Sequence, residues 1–184
     1  MFCWTPSPLT LQVKPERWTC IATSFAMVLG IPVSEFIQDL GHNGSSIIWP
    51  SHPEPNCRRG HHIQECIAVC VNRGYAVTPI ELFPTILRPP LFVKTAALGP
   101  TEVELSKPVL FGGEPDFNWV RFVELIKNSE GVLTGYGRTC HHAVANSYGR
   151  IYDPDGEQYE YSREACEQRH FYTQCLWKVD RLIT

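Results

Sequence analysis

The sequence predicts one α+β domain, with helices in the first half of the chain and an antiparallel sheet in the second. The chain has 184 residues, of which 43% are hydrophobic. At about 100–200 residues per domain, this length allows one well-filled core. Because the helix and strand patterns do not alternate along the chain, a doubly wound parallel sheet is not predicted.

The charge distribution argues against two classes of partner. The chain carries 16 Lys and Arg against 19 Asp and Glu, for a net charge of -3, and its basic residues are scattered. Neither a nucleic acid nor an anionic membrane surface is therefore expected to bind. Residues 20–33 are the longest apolar stretch, and this is shorter than the roughly 20 residues that a membrane span needs. With no secretory signal visible, we expect a soluble, cytoplasmic protein.

Three helices are predicted in the first half of the chain. Residues 20–29 are small and apolar and end at Gly30, which indicates a buried helix. A short amphipathic helix is expected from a Ser34 N-cap to Leu40, and a third helix over residues 62–73. The third has an apolar stripe at helical spacing, formed by Ile63, Cys66, Ile67, Cys70 and Val71.

The rest of the chain is expected to contain a long loop, one more clear helix and several strands. Residues 41–60 show no hydrophobic periodicity and contain prolines, which predicts a long loop of the type that often carries functional residues. A strand at 75–80 and a helix from an Asp116 cap to Asn128 are expected. Short extended pieces are expected at residues 91–93 and 109–111. Five strand candidates follow, with Ser162 opening a small helix between the last two: residues 132–136, 141–146, 150–152, 158–161 and 171–179.

The eight cysteines are expected to be reduced thiols, because the chain is larger than typical disulfide scaffolds and shows no export signal. A nucleophilic thiolate is stabilised by the free N–H groups and the dipole of a helix N-terminus. Cys20 stands at the predicted start of the first helix and is the candidate nucleophile. The alternative is a buried cysteine that only packs in the core.

A predicted hairpin supplies candidate partners for this thiol. If residues 147–148 form the turn, His142 lies opposite Asp153, with Cβ atoms about 4.5–5.5 Å apart; a three-residue loop moves the register by one. An imidazole can hold the thiol proton, and a third group can fix its tautomer. Asp153 is the candidate for that third role. Asn146, which lies on the same strand face as His142, is a weaker candidate for this role. The alternative interpretation of Asp153 is that it is only a turn residue.

These residues carry a resemblance to a known family. Cys20-x-Ala-x-Ser-Phe-Ala at a helix start, with His142-Ala-Val-Ala and Tyr-Asp153-Pro later in the chain, resembles the papain-like cysteine peptidase superfamily. Within this superfamily, the arrangement of these motifs most resembles that of the shorter bacterial C39-type peptidases. The resemblance implies a papain-like fold, with N-terminal helices packed on a C-terminal antiparallel sheet. It implies a single domain over residues 1–184, with a helical half at about 18–74 and a sheet half at about 107–184.

The resemblance also implies roles for individual residues. Cys20 is the nucleophile, His142 the general base and then acid, and Asp153 the group that orients the imidazole. An upstream glutamine donates to the oxyanion, and in this chain that residue is Gln12. Adjacent strand residues point to opposite faces, so only one of His141 and His142 can face the Cys20 helix, and the His-Ala-Val-Ala string selects His142. His141 is then an exposed strand residue or a substrate contact.

A second group of histidines and cysteines allows a zinc site as an alternative. Cys57 with His61, and His62 with Cys66, form i, i+4 pairs, but no Cys-x2-Cys pair occurs and the spacing fits no standard zinc finger. We therefore expect no metal here. The histidines are instead expected in the loop, and the cysteines on the apolar face of the helix. The possible metal ligands in this segment are His52, Cys57, His61, His62, Cys66 and Cys70.

The function predicted from these residues is a cysteine hydrolase that cleaves a peptide, isopeptide or amide bond without a cofactor. Its partner is a peptide or protein substrate. Acyl transfer to an amine uses the same groups and stays open. The alternatives are a non-catalytic papain-like binding or structural protein of a larger bacterial or phage assembly, and a zinc-stabilised interaction module.

Overall fold

A computed structural model describes residues 8–45, 60–81, 86–88, 91–94, 102–106, 109–110, 117–137 and 141–182. Within these ranges the chain forms five helices and ten strands. The helices are α1 Cys20–Leu29, α2 Val33–Leu40, α3 Ile63–Asn72, α4 Phe117–Lys127 and α5 Arg163–Gln168. The strands are β1 Tyr75–Glu81, β2 Ile86–Arg88, β3 Leu91–Lys94, β4 Glu102–Ser106, β5 Val109–Leu110, β6 Glu130–Tyr136, β7 His141–Ser147, β8 Arg150–Tyr152, β9 Gln158–Glu160 and β10 Tyr172–Arg181.

The helix ends follow local signals in the sequence. α1 covers the predicted residues and ends because Gly30 takes a left-handed conformation, with φ 68°. α2 begins two residues earlier than predicted, with Pro32 and not Ser34 at the N-cap position. The predicted Asp116 cap of α4 lies outside the described residues. Among the described residues, no single helix is long and apolar enough to cross a bilayer; α1 and α2 pass such a test only as a pair bent by 114°.

A six-stranded antiparallel sheet forms the centre of the molecule and confirms the α+β class. Its strand order is β1-β10-β6-β7-β8-β9. The edge strand β1 lies outside the residues, about 107–184, that the sequence analysis gave to the sheet half, and it pairs along its whole length with β10. Two short strand pairs, β2 with β5 and β3 with β4, lie in the chain between β1 and α4.

Helices cover both faces of this sheet. On one face, α1, α2 and α3 bury a core against β6, β7 and β10 that includes Val132, Ala143, Ala145 and Val179. On the other face, α4 and α5 pack against Leu133, Val144, Ile151 and Leu176. The predicted layer of N-terminal helices is present, and α4 and α5 add a second layer. Side chains alternate between faces along each strand, so these two residue sets come from neighbouring positions.

The turn between β7 and β8 differs from the predicted one. Tyr148 and Gly149 are its central residues, both with positive φ (51° and 90°), and Ser147 pairs with Arg150. A two-residue hairpin turn with positive φ at both positions matches the twist of the strands, and a glycine adopts this conformation without strain. The turn therefore centres one residue later than the sequence analysis assumed.

This shift means that His142 and Asp153 are not directly opposed, so the predicted register was wrong. Continuing the observed pairing beyond Ala145 and Tyr152 sets Asp153 opposite Val144. His142 and Asp153 are then diagonal neighbours, still on one face of the sheet, and within reach of each other's side chains. Because the pairing changed by two positions, the two side chains kept the same face.

Candidate functional site

The ring of His142 and the carboxylate of Asp153 form a part-buried hydrogen-bonded pair. His142 Nε2 lies 3.0 Å from Asp153 Oδ1. The two side chains are only 13% and 12% exposed. His142 is the second residue of β7, and Asp153 follows the last residue of β8, so the β7–β8 hairpin positions both groups. The structure thus brings together two of the residues predicted from the sequence.

Asp153 is held in place by its own loop and by the segment before α1. Its Oδ1 accepts a hydrogen bond from the backbone N–H of Asp155 at 2.8 Å, a local bond typical of aspartate in turns. The Lys14 N–H donates to the Pro154 carbonyl at 2.9 Å, and the Lys14 ammonium forms an ion pair with Asp155. The carboxylate therefore faces His142 from a fixed position.

Cys20 is the first residue of α1. Its side chain is partly exposed and is close enough to His142 to help raise the pKa of that imidazole. Because Asp153 occupies Nε2, the remaining ring nitrogen, Nδ1, is the one available to the sulfur. The helix start itself has no side-chain cap; the Thr19 hydroxyl oxygen accepts from the Glu16 N–H at 3.3 Å instead. The first N–H groups of α1 are thus left near the sulfur.

The electrostatics of the pair favour its ionised form. Burial alone would lower the pKa of His142, but the hydrogen bonds and charges of Asp153 and Cys20 raise it to about 10. Burial would raise the pKa of Asp153, yet its hydrogen bond with His142 and the charge of that residue lower it. The His142 contribution to stability is full below its ordinary pKa and is lost as the pH rises through about 10. The Asp153 contribution is present above its ordinary pKa and is lost as the pH falls.

Phe171 packs against the ring of His142 and was not identified from the sequence. The two ring centroids are 5.7 Å apart and the planes meet at 87°, an edge-on contact. Phe171 is 2% exposed, so it shields the imidazole from water and limits rotation of the ring. The sequence analysis placed Phe171 at the start of the last strand only. Nothing local in the sequence links it to His142, because the fold brings the two segments together.

The His-Ala-Val-Ala string selected His142, but strand alternation does not place this residue on the sheet face that α1 covers. Ala143 and Ala145 belong to the core cluster that contains α1, whereas Val144 belongs to the cluster on the opposite face. His142 therefore shares the face of Val144 and contacts Cys20 from the start of the strand. His141 is exposed, and its ring lies 4.5 Å from that of Tyr136. The small alanines allow α1 to lie close to β7.

Asn146, the alternative third residue, has a different place. It is fully buried, and its amide donates to the carbonyls of Ile126 and Ser129 at 3.1 and 2.8 Å. Its Oδ1 accepts from the N–H of Gly149 at 3.0 Å. Asn146 therefore connects the C-terminal end of α4 to the β7–β8 turn. Asp153, and not Asn146, is the residue that hydrogen-bonds the imidazole of His142.

Gln12 is not near Cys20. Its Nε2 donates to the Ile31 carbonyl and its Oε1 accepts from the Val33 N–H, both at 2.8 Å. These partners lie in the connection between α1 and α2. Since the ten residues of α1 separate its ends by about 14 Å, Gln12 and Cys20 are at opposite ends of the helix. The oxyanion role that the resemblance implied for Gln12 is corrected accordingly.

Gln12→Ala is expected to destabilise the fold without changing the chemistry at Cys20. The loss of two hydrogen bonds should lower the free energy of unfolding by about 1–3 kcal/mol. In the folded protein, kcat/KM for peptide cleavage should stay unchanged; denaturant titration and initial rates measure the two effects. A fall in kcat of about 10²–10³-fold at unchanged stability is what loss of an oxyanion donor produces, and it would return Gln12 to the site.

Comparisons with known proteins give one structural likeness. No family model and no curated protein sequence matches the chain. Among solved structures, the chain is similar to a double glycine motif protease from an AMS/PCAT transporter, crystallised in complex with the leader peptide. The match covers 93% of this chain and 91% of that chain, at 14% identity and a TM-score of 0.45. A likeness at this level establishes neither the family nor the activity of this chain.

The other described cysteines lie in the core. Cys66 and Cys70 are fully buried, and burial raises the pKa of the Cys70 thiol to about 12 and that of Cys66 still higher. Cys66 and Cys70 pack with α1 and β7, as the sequence analysis expected. Cys166 lies in the second core cluster, where burial raises its pKa to about 12 as well. His52 and Cys57 lie outside the described residues.

Two groups of described side chains have the composition of metal ligands. The first comprises His142, Asp153 and Asp155, and its members are already paired with each other or with Lys14. The second comprises His42, His61 and Glu65, whose donor atoms all lie within 4.8 Å of one another. Burial, and secondarily the charge of His42, lowers the pKa of His61 to about 4, against the opposing effect of Glu65.

Proposed function

We propose that this protein is a papain-like cysteine peptidase in which Cys20 is the nucleophile, His142 the general base and acid, and Asp153 the orienting group. One observation carries the proposal. A largely buried imidazole at the start of β7 hydrogen-bonds the Asp153 carboxylate through Nε2, and Cys20, the first residue of α1, is close enough to help raise the pKa of that imidazole. A thiol at a helix start, an imidazole beside it and a carboxylate behind that imidazole are the parts that acyl transfer needs.

The first chemical step forms an acyl-enzyme. The raised pKa of His142 keeps its ring protonated at neutral pH, and the nucleophile of the proposed mechanism is the Cys20 sulfur paired with this imidazolium. The sulfur attacks the substrate carbonyl carbon and the carbonyl π electrons move to oxygen. As the tetrahedral species collapses, the C–N bond breaks and His142 gives its proton to the leaving amine. A thioester at Cys20 and a neutral imidazole result.

The second step returns the enzyme to its starting state. Neutral His142 takes a proton from water, and the resulting hydroxide attacks the thioester carbonyl. Collapse expels the Cys20 thiolate and releases the carboxylic acid product. Asp153 stays ionised throughout, because its role is to hold Nε2–H and to stabilise the imidazolium.

The donor to the oxyanion is assigned to the backbone at the start of α1. The Gln12 amide is engaged at the other end of the helix, and Thr19 does not cap α1. The N–H of Cys20, with the dipole of α1, then faces the negative charge that develops on the carbonyl oxygen. This arrangement places the charge beside the residue that creates it.

A peptide library tests the proposal. The protein should be incubated at pH 7 with a mixture of synthetic peptides covering all neighbouring residue pairs, and the new termini identified by mass spectrometry. We expect cleavage at a recurrent set of sequences by the unsubstituted chain and none by Cys20→Ala. Cys175→Ala is the matched control, since Cys175 is a buried residue of the sheet. Equal cleavage by Cys20→Ala would contradict the role of Cys20 as nucleophile, whereas no cleavage of any peptide or amide by a folded chain supports the non-catalytic alternative.

A further inference from the structure

His61 is a buried histidine in the connection between α2 and α3, two residues before α3 begins. It is 8% exposed, and neither of its ring nitrogens has a hydrogen-bond partner among the described residues. Buried polar groups in native proteins are nearly always hydrogen-bonded, so an exception needs an explanation. Packing, and not hydrogen bonding, therefore holds this imidazole in place.

Backbone from the other end of the connection closes over the ring. A Cβ on Gly44 would lie 2.9 Å from Nε2 of His61, and Gly44 has φ 70°, a left-handed conformation that favours glycine. The Gly60 N–H donates to the Gly44 carbonyl at 2.9 Å. The ring centroid of His42 is 4.9 Å from that of His61. The imidazole is thus enclosed by backbone and by a second ring.

The same contacts reach the segment that leads into α1. The indole N–H of Trp18, which carries no charge, donates to the Asn43 carbonyl at 3.0 Å. A Cβ on Gly60 would lie 3.1 Å from the Trp18 carbonyl oxygen, and Trp18 stands two residues before α1 begins. Residues 42–44, residues 60–61 and Trp18 therefore form one contact, which we call the α1 latch.

His61 faces two titratable side chains of the elements packed against it. His42 comes from the segment after α2 and Glu65 from the first turn of α3, and their donor atoms lie within 4.8 Å of those of His61. The Gly44 N–H donates to His42 Nδ1 at 3.1 Å. The proton of neutral His42 is therefore on Nε2, which donates to Glu65 Oε1 at 3.2 Å and has no lone pair for a metal. Glu65 Oε2 accepts from the His62 N–H at 2.8 Å, so His61 is left without an acceptor among the described residues.

A proton on His61 is disfavoured while the α1 latch is closed. The imidazolium has two N–H donors and a charge, and the described residues offer it neither an acceptor nor much exposure to water. Burial, and then the charge of His42, lowers the pKa of His61 to about 4, against the opposing effect of Glu65. Because this pKa lies below the ordinary value of 6.5, the latch has its full stability above about pH 6.5 and loses it as the pH falls towards 4.

We propose that His61 is an acid-sensitive switch of the α1 latch. The neutral imidazole keeps the latch closed. The imidazolium, formed by a proton from solvent, leaves its pocket for water, and the Gly60–Gly44 and Trp18–Asn43 hydrogen bonds break. The segment that leads into α1 is then released. The switch does not depend on the catalytic proposal, because none of the residues of that proposal takes part in it.

NMR titration of the histidine rings tests the switch in the unsubstituted protein. The Cε1–H signal of each ring is followed from about pH 8 to about pH 4.5, and the signal of His61 is identified by its proximity to the ring of His42. We expect it to keep its neutral position until well below pH 6.5, where a free imidazole is half protonated. A His61 ring that titrates near pH 6.5 in the folded protein overturns the proposal.

Replacement of the ring isolates its contribution to stability. His61→Phe keeps an aromatic side chain in the pocket and removes the titrating group. Between pH 7.5 and pH 5, the unfolding equilibrium constant of the unsubstituted chain should rise about 30-fold more than that of His61→Phe. His62→Asn is the matched control, because it removes the neighbouring exposed imidazole and keeps a residue suited to the N-cap; it should behave like the unsubstituted chain. An equal rise in the unsubstituted chain and in His61→Phe overturns the proposal, and if His61→Phe does not fold, the NMR titration decides.

Hydrogen exchange shows whether the latch opens before the whole chain unfolds. At pH 5, after correction for the intrinsic pH dependence of exchange, peptides that contain residues 42–44, residues 60–61 or Trp18 should lose protection in the unsubstituted chain. Peptides from β6 and β7 should keep it, and in His61→Phe all of these peptides should stay protected. Loss of protection in every peptide at once would show that His61 affects global stability only, and it would overturn the switch.

Discussion

His142→Ala is expected to reduce kcat/KM for peptide cleavage by at least about 10⁴-fold, since loss of the base in a catalytic triad leaves only binding and oxyanion stabilisation. Without the imidazolium, Cys20 loses its counter-ion and the leaving amine loses its proton donor. The measurement is the initial rate on a peptide found with the library. The change removes a side chain at the end of a strand, so circular dichroism should show the fold retained.

His141→Ala is the matched control for this prediction. The two histidines are adjacent, but His141 is exposed and stacks on Tyr136, and it takes no part in the proposed chemistry. Its replacement should leave kcat unchanged and affect KM at most. If His141→Ala abolished cleavage and His142→Ala did not, the assignment of the base would be wrong.

Asp153→Ala is expected to lower kcat by about 10³-fold or more, because the imidazole loses both its orientation and the charge that stabilises its protonated form. Activity requires the imidazolium, so it falls as the pH rises through the pKa of His142. Asp153 is one of the groups that raise that pKa. The alkaline limb of the pH–rate profile should therefore move to lower pH in this variant, an effect that a merely structural defect would not produce.

Two further variants test whether the carboxylate itself is needed. Asp153→Asn keeps the fold but lets the imidazole take the wrong tautomer, so kcat should fall by orders of magnitude and the alkaline limb should stay shifted. Asp155→Asn preserves the N–H that bonds Asp153 and should have little effect on kcat. Equal losses in Asp153→Ala and Asp155→Asn would show that the loop, and not the Asp153 carboxylate, determines activity.

The elements with strong local signals were predictable from the sequence. The bounds of α1 follow from a continuous small and apolar run that ends at a glycine, and α3 is marked by its apolar stripe. The hairpin was predictable as a hairpin, yet its register depends on which residues take positive φ. Gly149 at the second turn position was the signal that decided it.

The parts of the site that depend on distant contacts were not predictable from spacing. The contact of Phe171 with His142 joins the segment just before β10 to the start of β7. His42 meets His61 only through the packing of α2 on α3. Gln12 was assigned by resemblance alone, and its hydrogen bonds lie at the opposite end of α1. Sequence patterns identify an element and its faces, whereas the partner of a side chain follows from the assembled fold.

The central claim is that His142 activates the thiol of Cys20, and the alkylation rate of each cysteine tests it most directly. At pH 6 an ordinary thiol is almost fully protonated and reacts slowly. Brief treatment of the unsubstituted protein with iodoacetamide at this pH, followed by mass spectrometry of its peptides, gives the rate at all eight cysteines. The ion pair predicts that Cys20 reacts fastest and slows to the rate of an ordinary thiol in His142→Ala. A Cys20 that reacts no faster than the other seven, or equally fast without His142, would contradict it.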